Sequence, residues 1–316
     1  MIRTPESVKT VFMGTPALSV PFLECLVEEG YPVKGIVTQP DRPVGRGHGI
    51  SPSPVRVRGD LYGIPVLTPE TLKTEESIAP LLEWNPDMIV VVAYGKILPK
   101  RILGLPGFGC INVHASLLPS LRGASPIQWA IRSDFPVTGL TLMKMDEGMD
   151  TGPVLSQISI SVASDETTGT LTQKMISVGP EFMRTRLRDY LAGKLTPVPQ
   201  EGKSSVAPLI RKEQGRITFG ESARSVDCHV RAMQPWPGAF CDSPIGVLKV
   251  LSGSSGPGER GSILPGTILD IGPEGIRVCC GEGIYRIGEL QKPGGKVLPV
   301  REFIKGNKIL PGMVLS

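Results

Sequence analysis

The sequence predicts an α/β chain: a Rossmann-like, mostly parallel sheet domain followed by a small OB-like β-barrel domain. Three observations carry that expectation. Short apolar runs alternate with helical segments up to about residue 193, the pattern of βα units. One run, Met88-Ile89-Val90-Val91-Val92-Ala93, is apolar on both faces, as a buried parallel strand must be. From about residue 245 onward, short β-type runs are separated by glycine-rich turns, which suggests a small barrel.

Val8 to Met13 reads as the first strand and Gly14-Thr15-Pro16 as its turn. No G-x-G-x-x-G follows, so the dinucleotide fingerprint is missing. A helix is expected over 19–29, with Leu23, Leu26 and Val27 on one face and Gly30 past its end. Val33 to Thr38 is the second strand. Residues 39–54 carry Pro40, Pro43, Pro52 and Pro54 with Gly45, Gly47 and Gly49, and no regular structure is expected there. The loop is either functional or a disordered insert. A short strand follows at 64–67, then a helix at 77–84 interrupted early by Pro80. Strands are expected at 137–145 and 153–162, and a long helix at 166–192 that Gly179-Pro180 should kink or divide. These elements form domain 1–193; 194–210 is a basic linker, and 211–316 the β-barrel domain. Within the latter, a short strand from 216 leads to a helix at about 222–233, with strands at 245–251, 265–271, 275–280 and 284–290. Trp236, between Pro235 and Pro237, reads as a packing anchor.

Composition is that of an ordinary globular protein, 40% hydrophobic and 20% charged. No apolar run is long enough for a membrane span, and the first residues lack a signal-peptide core, so a cytoplasmic protein is expected. Six cysteines without a C-x-x-C pair, and only three histidines, argue for reduced thiols and against a structural zinc site. Charge is uneven. Residues 1–202 carry 19 Lys and Arg against 20 Asp and Glu, whereas 203–316 carry 15 against 10. That excess favours an anionic partner for the C-terminal part, although a merely soluble surface fits it as well.

The stretch Cys110 to Gly123 is where the chemistry is expected. Asn112 and His114 share one face of a strand end, and a loop with Pro119 and Gly123 follows. Ser125 is the expected N-cap of the next helix, with Pro126 at its first position. A strand delivering an amide and an imidazole to a loop mouth is a common α/β active-site layout. Alone, the same residues fit a satisfied core histidine and a turn-closing asparagine. The second stretch, Met145 to Pro153, is a tight acidic loop. It offers either a carboxylate that orients an imidazole or a solvated turn.

Asn112-x-His114, then Ser116-Leu117-Leu118-Pro119-x-x-Arg122-Gly123, then Asp150-Thr151-Gly152, resembles the folate-dependent formyltransferase family. The resemblance implies a catalytic triad of Asn112, His114 and Asp150, 10-formyltetrahydrofolate as co-substrate, and no metal. It implies folate contacts from Tyr94, Gly95, Ile97 and Leu98 on one loop and from Ser116, Leu117, Leu118 and Pro119 on the other. Asn112 would donate to the formyl oxygen, a protonated His114 would stabilise it as charge grows, and Asp150 would favour the charged ring and accept the amine proton.

Within that family, the chain resembles the members that formylate methionyl-initiator tRNA. Thr38 to Gly47 resembles their inserted acceptor-stem loop, and Arg211 to Ile217 with Val230 to Pro237 resembles their second domain. The implied tRNA contacts are Arg42, Arg46, Lys203, Arg211 and Lys212. His48-Gly49 make the loop less basic than in relatives. A monomer with tRNA and folate as partners and no membrane is expected. The rivals are a sugar-nucleotide or glycinamide-ribonucleotide formyltransferase, which would share the triad, and an RNA-binding protein on an inactive scaffold.

Overall fold

Seven strands build the first sheet, and their order decides where a ligand can sit. The computed structural model describes residues 3–44, 49–259 and 261–316. Within them the chain forms β1 (Thr10–Gly14), α1 (Val20–Glu28), β2 (Val33–Val37), β3 (Arg42–Val44), β4 (Gly49–Ser51), α2 (Pro54–Leu61), β5 (Val66–Leu67), α3 (Glu75–Trp84), β6 (Met88–Val92), α4 (Lys100–Leu103) and β7 (Cys110–His114). Then come α5 (Pro126–Arg132), β8 (Val137–Lys144), β9 (Val154–Ser161) and α6 (Thr168–Leu191). The sheet order is β5-β2-β1-β6-β7-β8-β9. The chain steps outward from β1 to β2 and β5, then returns to β6 and β7 on the other side of β1. In open α/β sheets ligands bind at such a reversal, outside the carboxyl ends of the strands, here those of β1 and β6. Pairing is parallel from β5 through β7, and β7 pairs with β8 antiparallel. β1, β6 and β7 are buried along their whole length, as their apolar runs require.

Several expectations are corrected. The described residues of 39–54 do hold regular structure: β3 and β4 pair antiparallel, and Pro54 begins α2. Among the described residues each of these strands has a single neighbour, and such an edge tolerates proline. Ser53 caps α2 by accepting from the Arg56 amide at 3.1 Å. Pro80 lies inside α3 without ending it, because buried Ile78 and Leu81 pin the helix on both sides. α6 is likewise one helix through Gly179-Pro180. Met175, Gly179, Met183 and Leu187 make a buried stripe at four-residue spacing that continues across the proline. Gly179 is a close approach and not a breaker, since a Cβ there would collide with the buried ring of Phe22.

Compactness groups the described chain into two units. The first holds 1–124, 138–161 and 172–207; the second holds 125–137, 162–171 and 208–316. In the second unit, α7 (Ala223–Ala232) is capped by Ser222 and packs on α5. It is followed by β10 (Ala239–Cys241), β11 (Leu248–Gly256), β12 (Ile268–Gly272), β13 (Gly275–Cys279), β14 (Ile284–Gln291), β15 (Leu298–Pro299) and α8 (Val300–Gly306). The sheet order is β10-β11-β14-β13-β12, with β15 on β14, and the pairs are antiparallel. Trp236 does not anchor the packing: it is 54% exposed, whereas Met233, just past α7, is fully buried.

Candidate active site

β7 carries Asn112 and His114 to the carboxyl edge of the sheet. Asn112 lies opposite Val91 of β6 and Met143 of β8, and His114 lies opposite Thr141. Two residues apart, their side chains emerge on one face. They are 8% and 6% exposed, so both are buried polar groups that need partners. His114 has one on each side of its ring. Nε2 lies 3.0 Å from the Leu121 carbonyl, which can only accept, and Nδ1 lies 3.7 Å from Asp150 Oδ2. A neutral ring therefore carries its proton on Nε2, and a second proton on Nδ1 would face the carboxylate. Asn112 differs: among the described residues its side-chain amide has no protein partner, which leaves a buried donor for a ligand.

Asp150 reaches His114 from the loop between β8 and β9. Its backbone is left-handed, at φ 53°, a conformation that a non-glycine residue holds only when its surroundings impose it. Oδ2 accepts from the Gly123 amide at 2.8 Å, so the two loops are joined at the carboxylate. Oδ1 has no protein partner among the described residues. Gly123 is required where it stands: φ is 122°, and a Cβ would come within 2.7 Å of the Ala207 carbonyl.

The loop after β7 is fastened from below. Thr141 Oγ1 donates to the Ser116 carbonyl at 2.6 Å and accepts from the Leu118 amide at 3.1 Å. Gln157 donates to the Leu118 carbonyl at 2.8 Å, and Ser116 Oγ donates to the Ser120 carbonyl at 2.6 Å. Leu117 and Pro119 are half-buried at the mouth, and Leu118 is buried. On the β6 side, the Tyr94 carbonyl accepts from Thr15 Oγ1 at 3.1 Å and Gln39 Nε2 at 2.9 Å. The Tyr94 ring packs in the core, with burial pushing its hydroxyl up to about 12, so only its backbone faces the loop. Gly95 turns the chain at φ 82°, Ile97 stands 80% exposed, and Leu98 is buried.

Further residues complete the site from far along the sequence. Residues 198–207, in the segment expected to be a linker, run against these loops within the first unit. Val198 exchanges two backbone bonds with Val154, Gln200 holds Asp150 and Arg122, and Ser205 Oγ accepts from the Leu121 amide at 2.9 Å. Neither Gln200 nor Ser205 is signalled by its local sequence, because the run Gln200-Glu201-Gly202-Lys203-Ser204-Ser205 is polar throughout and marks none of its members out. Ser125 stands at the N-cap of α5 as expected, yet its hydroxyl caps nothing there. It accepts instead from the Ile210 amide at 3.0 Å.

Of the residues expected on tRNA, Lys203, Arg211 and Lys212 are exposed, and none enters an ion pair with the described residues. Arg42 lies on β3, and Arg46 is outside the described residues. No group of three or more His, Cys, Asp or Glu among the described residues is placed to hold a metal ion. No helix among them is long and apolar enough to cross a membrane.

The class of protein follows from the family: the chain belongs to the formyl transferase family, enzymes that transfer a one-carbon group, which residues 8–187 match, with residues 209–308 matching its C-terminal domain. More particularly, it is 46% identical over 305 residues to a methionyl-tRNA formyltransferase of Myxococcus xanthus strain DK1622, covering 96% of each chain. It is 44% identical to the methionyl-tRNA formyltransferase of Citrifermentans bemidjiense, over 98% of this chain and 96% of that one. The fold is also that of HypX from Aquifex aeolicus in complex with tetrahydrofolic acid. The TM-score there is 0.62 at 17% identity, over 95% of this chain and 47% of that one.

Proposed function

We propose that the chain transfers the formyl group of 10-formyltetrahydrofolate to the α-amino group of methionyl-initiator tRNA. The choice of acceptor rests on the 46% identity that runs through both matched segments. The chemistry rests on one observation at the site: a buried amide and a carboxylate oxygen, both without partners among the described residues, accompany an imidazole that is held at Nε2 and faces the carboxylate at Nδ1. The folate supplies a formyl carbon already activated for attack. Asn112 donates its free N–H to the formyl oxygen, a contact that strengthens as negative charge gathers there. His114, fixed by Leu121 and Asp150, places an ionisable ring beside that charge. Asp150 orients the ring through Oδ2 and offers Oδ1 to the proton leaving the amine; the bond between the formyl carbon and the folate nitrogen then breaks, that nitrogen takes up the proton, and tetrahydrofolate departs. The Tyr94–Leu98 and Ser116–Pro119 loops border the crevice at the carboxyl edge, where a folate ring would lie. Lys203, Arg211 and Lys212, without an ion-pair partner among the described residues, offer cations to a phosphate backbone.

The test is direct. The protein is incubated with 10-formyltetrahydrofolate and methionyl-tRNA, and the product is examined for formylmethionine. Formation of that product is expected. Formylation of glycinamide ribonucleotide or an amino-sugar nucleotide in its place would overturn the choice of acceptor, and no formyl transfer to any amine would overturn the reading.

A further inference from the structure

We propose that Gln200 is a positioning residue for Asp150, so that the 198–207 segment is part of the catalytic apparatus; the inference rests on the formyl-transfer reading of the site. The amide of Gln200 is used to its full capacity. Nε2 donates to the Asp150 carbonyl and to the Gly152 carbonyl, each at 2.8 Å. Oε1 accepts from Arg122 twice, from Nε at 3.1 Å and from Nη2 at 2.7 Å. A primary amide has two donors and two acceptor sites, and all four are engaged. A side chain serving only as solvated surface has no reason to be satisfied in this way.

The two carbonyls that Gln200 holds flank Thr151, at the turn that puts Asp150 at φ 53°. That backbone conformation directs the carboxylate at Gly123 and His114, and a residue with a Cβ does not rest there unaided. On its other side, Gln200 binds Arg122, which lies between Leu121 and Gly123. The Leu121 carbonyl faces His114 Nε2, and the Gly123 amide donates to Asp150 Oδ2. One amide thus ties together the loop that fixes the imidazole and the loop that bears the carboxylate. Ser205 adds to the same end by accepting from the Leu121 amide, and Leu121 is itself at φ 60°. Gln200 touches neither the imidazole nor the face where the formyl group would lie, so its effect on the reaction passes through Asp150.

The experiment compares Gln200→Ala and Gln200→Glu in the full chain, alone and with Asp150→Asn. Turnover, both KM values, donor affinity by fluorescence titration and the thermal transition are measured. Gln200→Ala should lower kcat about 10- to 100-fold, the range expected when a reacting group drifts by about an ångström. Both KM values and the donor affinity should stay within about 3-fold, because the hydrogen bonds removed do not involve either substrate. Gln200→Glu is the deciding variant. Its carboxylate still accepts from Arg122 but has no N–H for the two carbonyls, so it should fall as Gln200→Ala does. With Asp150→Asn present, Gln200→Ala should add less than about 3-fold. A Gln200→Glu enzyme with full kcat would show that the Arg122 anchor alone matters and would overturn the proposal. Losses that multiply in the Asp150→Asn background would overturn it too, as would loss of a cooperative thermal transition in both single variants, which would mark Gln200 as a residue of the fold. No formylmethionine from the unsubstituted chain would instead overturn the reading of the function.

Discussion

His114 shows most plainly what each residue of the site contributes. Its Nε2 is committed to the Leu121 carbonyl and its Nδ1 faces Asp150, so in the proposed reaction the N–H given to the formyl oxygen is that of Asn112. Asn112→Ala should therefore reduce kcat by about 10²- to 10³-fold, the loss seen when one donor to a developing oxyanion is removed. His114→Ala and Asp150→Asn should each be severe, and the double variant should lose little more than the worse single one, since groups acting as a unit are far from additive. Steady-state formylation rates check both expectations. Cys110, at the start of the same strand, is outside the chemistry. Burial pushes its thiol up to about 12, so at pH 8 only about one molecule in 10⁴ carries the thiolate. Iodoacetamide at pH 8 should leave Cys110 unlabelled in the native protein and label it in denaturant. The raised folded value also sets the sign of the pH dependence. The unfolded thiol releases its proton above about 8.5 and the folded one holds it, so this residue's contribution to stability is complete below that pH and declines as pH rises above it.

Among the elements, α6 sets local sequence signals against packing most directly. Gly179-Pro180 is a breaker pair by propensity, yet the buried stripe from Met175 to Leu187 carries the helix through it. Gly179 lets α6 approach α1, and the Pro180 carbonyl accepts from the Cys25 thiol at 3.3 Å. Gly179→Val would raise helix propensity slightly but drive a branched side chain into Phe22 and Leu140. Overpacking of this kind costs about 1–3 kcal/mol and outweighs the propensity gain. The variant should unfold at lower denaturant with an unchanged m-value in a urea titration. The β3–β4 pair shows the opposite error of propensity. Prolines and glycines argue against regular structure over 39–54, but a two-stranded ribbon with no further neighbour among the described residues satisfies the geometry that proline demands.

For the whole molecule, the charge excess of residues 203–316 bears on the tRNA. Lys203, Arg211 and Lys212 lie close along the chain and carry no acidic partner among the described residues, so their counterions are free to leave when phosphates arrive. Replacing all three by Ala should weaken tRNA binding and flatten its dependence on salt, the slope of log K against log salt falling by about 1 for each phosphate no longer neutralised. Affinity for the formyl donor should not change. A salt titration of tRNA binding, run beside a donor titration, decides it: an unchanged salt slope would place the phosphate-binding cations elsewhere.

Much of this protein is written locally. The apolar runs of β1, β6 and β7, the helical spacing of α1 and α7, and the glycine-punctuated strands near the C-terminus follow from periodicity, because burial on a sheet or helix face demands it residue by residue. The proposed triad is legible for a related reason: Asn112 and His114 share a strand face by their spacing, and Asp150 stands in a compact acidic loop of recognisable form. What only tertiary structure decided lies in the meeting of distant segments. The assignment of residues 198–207 to the active-site loops is one instance, since Gln200 meets Asp150 across 50 positions and Ser205 meets Leu121 across 84. The continuity of α6 through a proline and the burial of the Tyr94 ring are others. Local propensity amounts to less than about 1 kcal/mol at most positions, whereas a buried side chain contributes about 1.5–3 kcal/mol, so packing prevails wherever the two disagree.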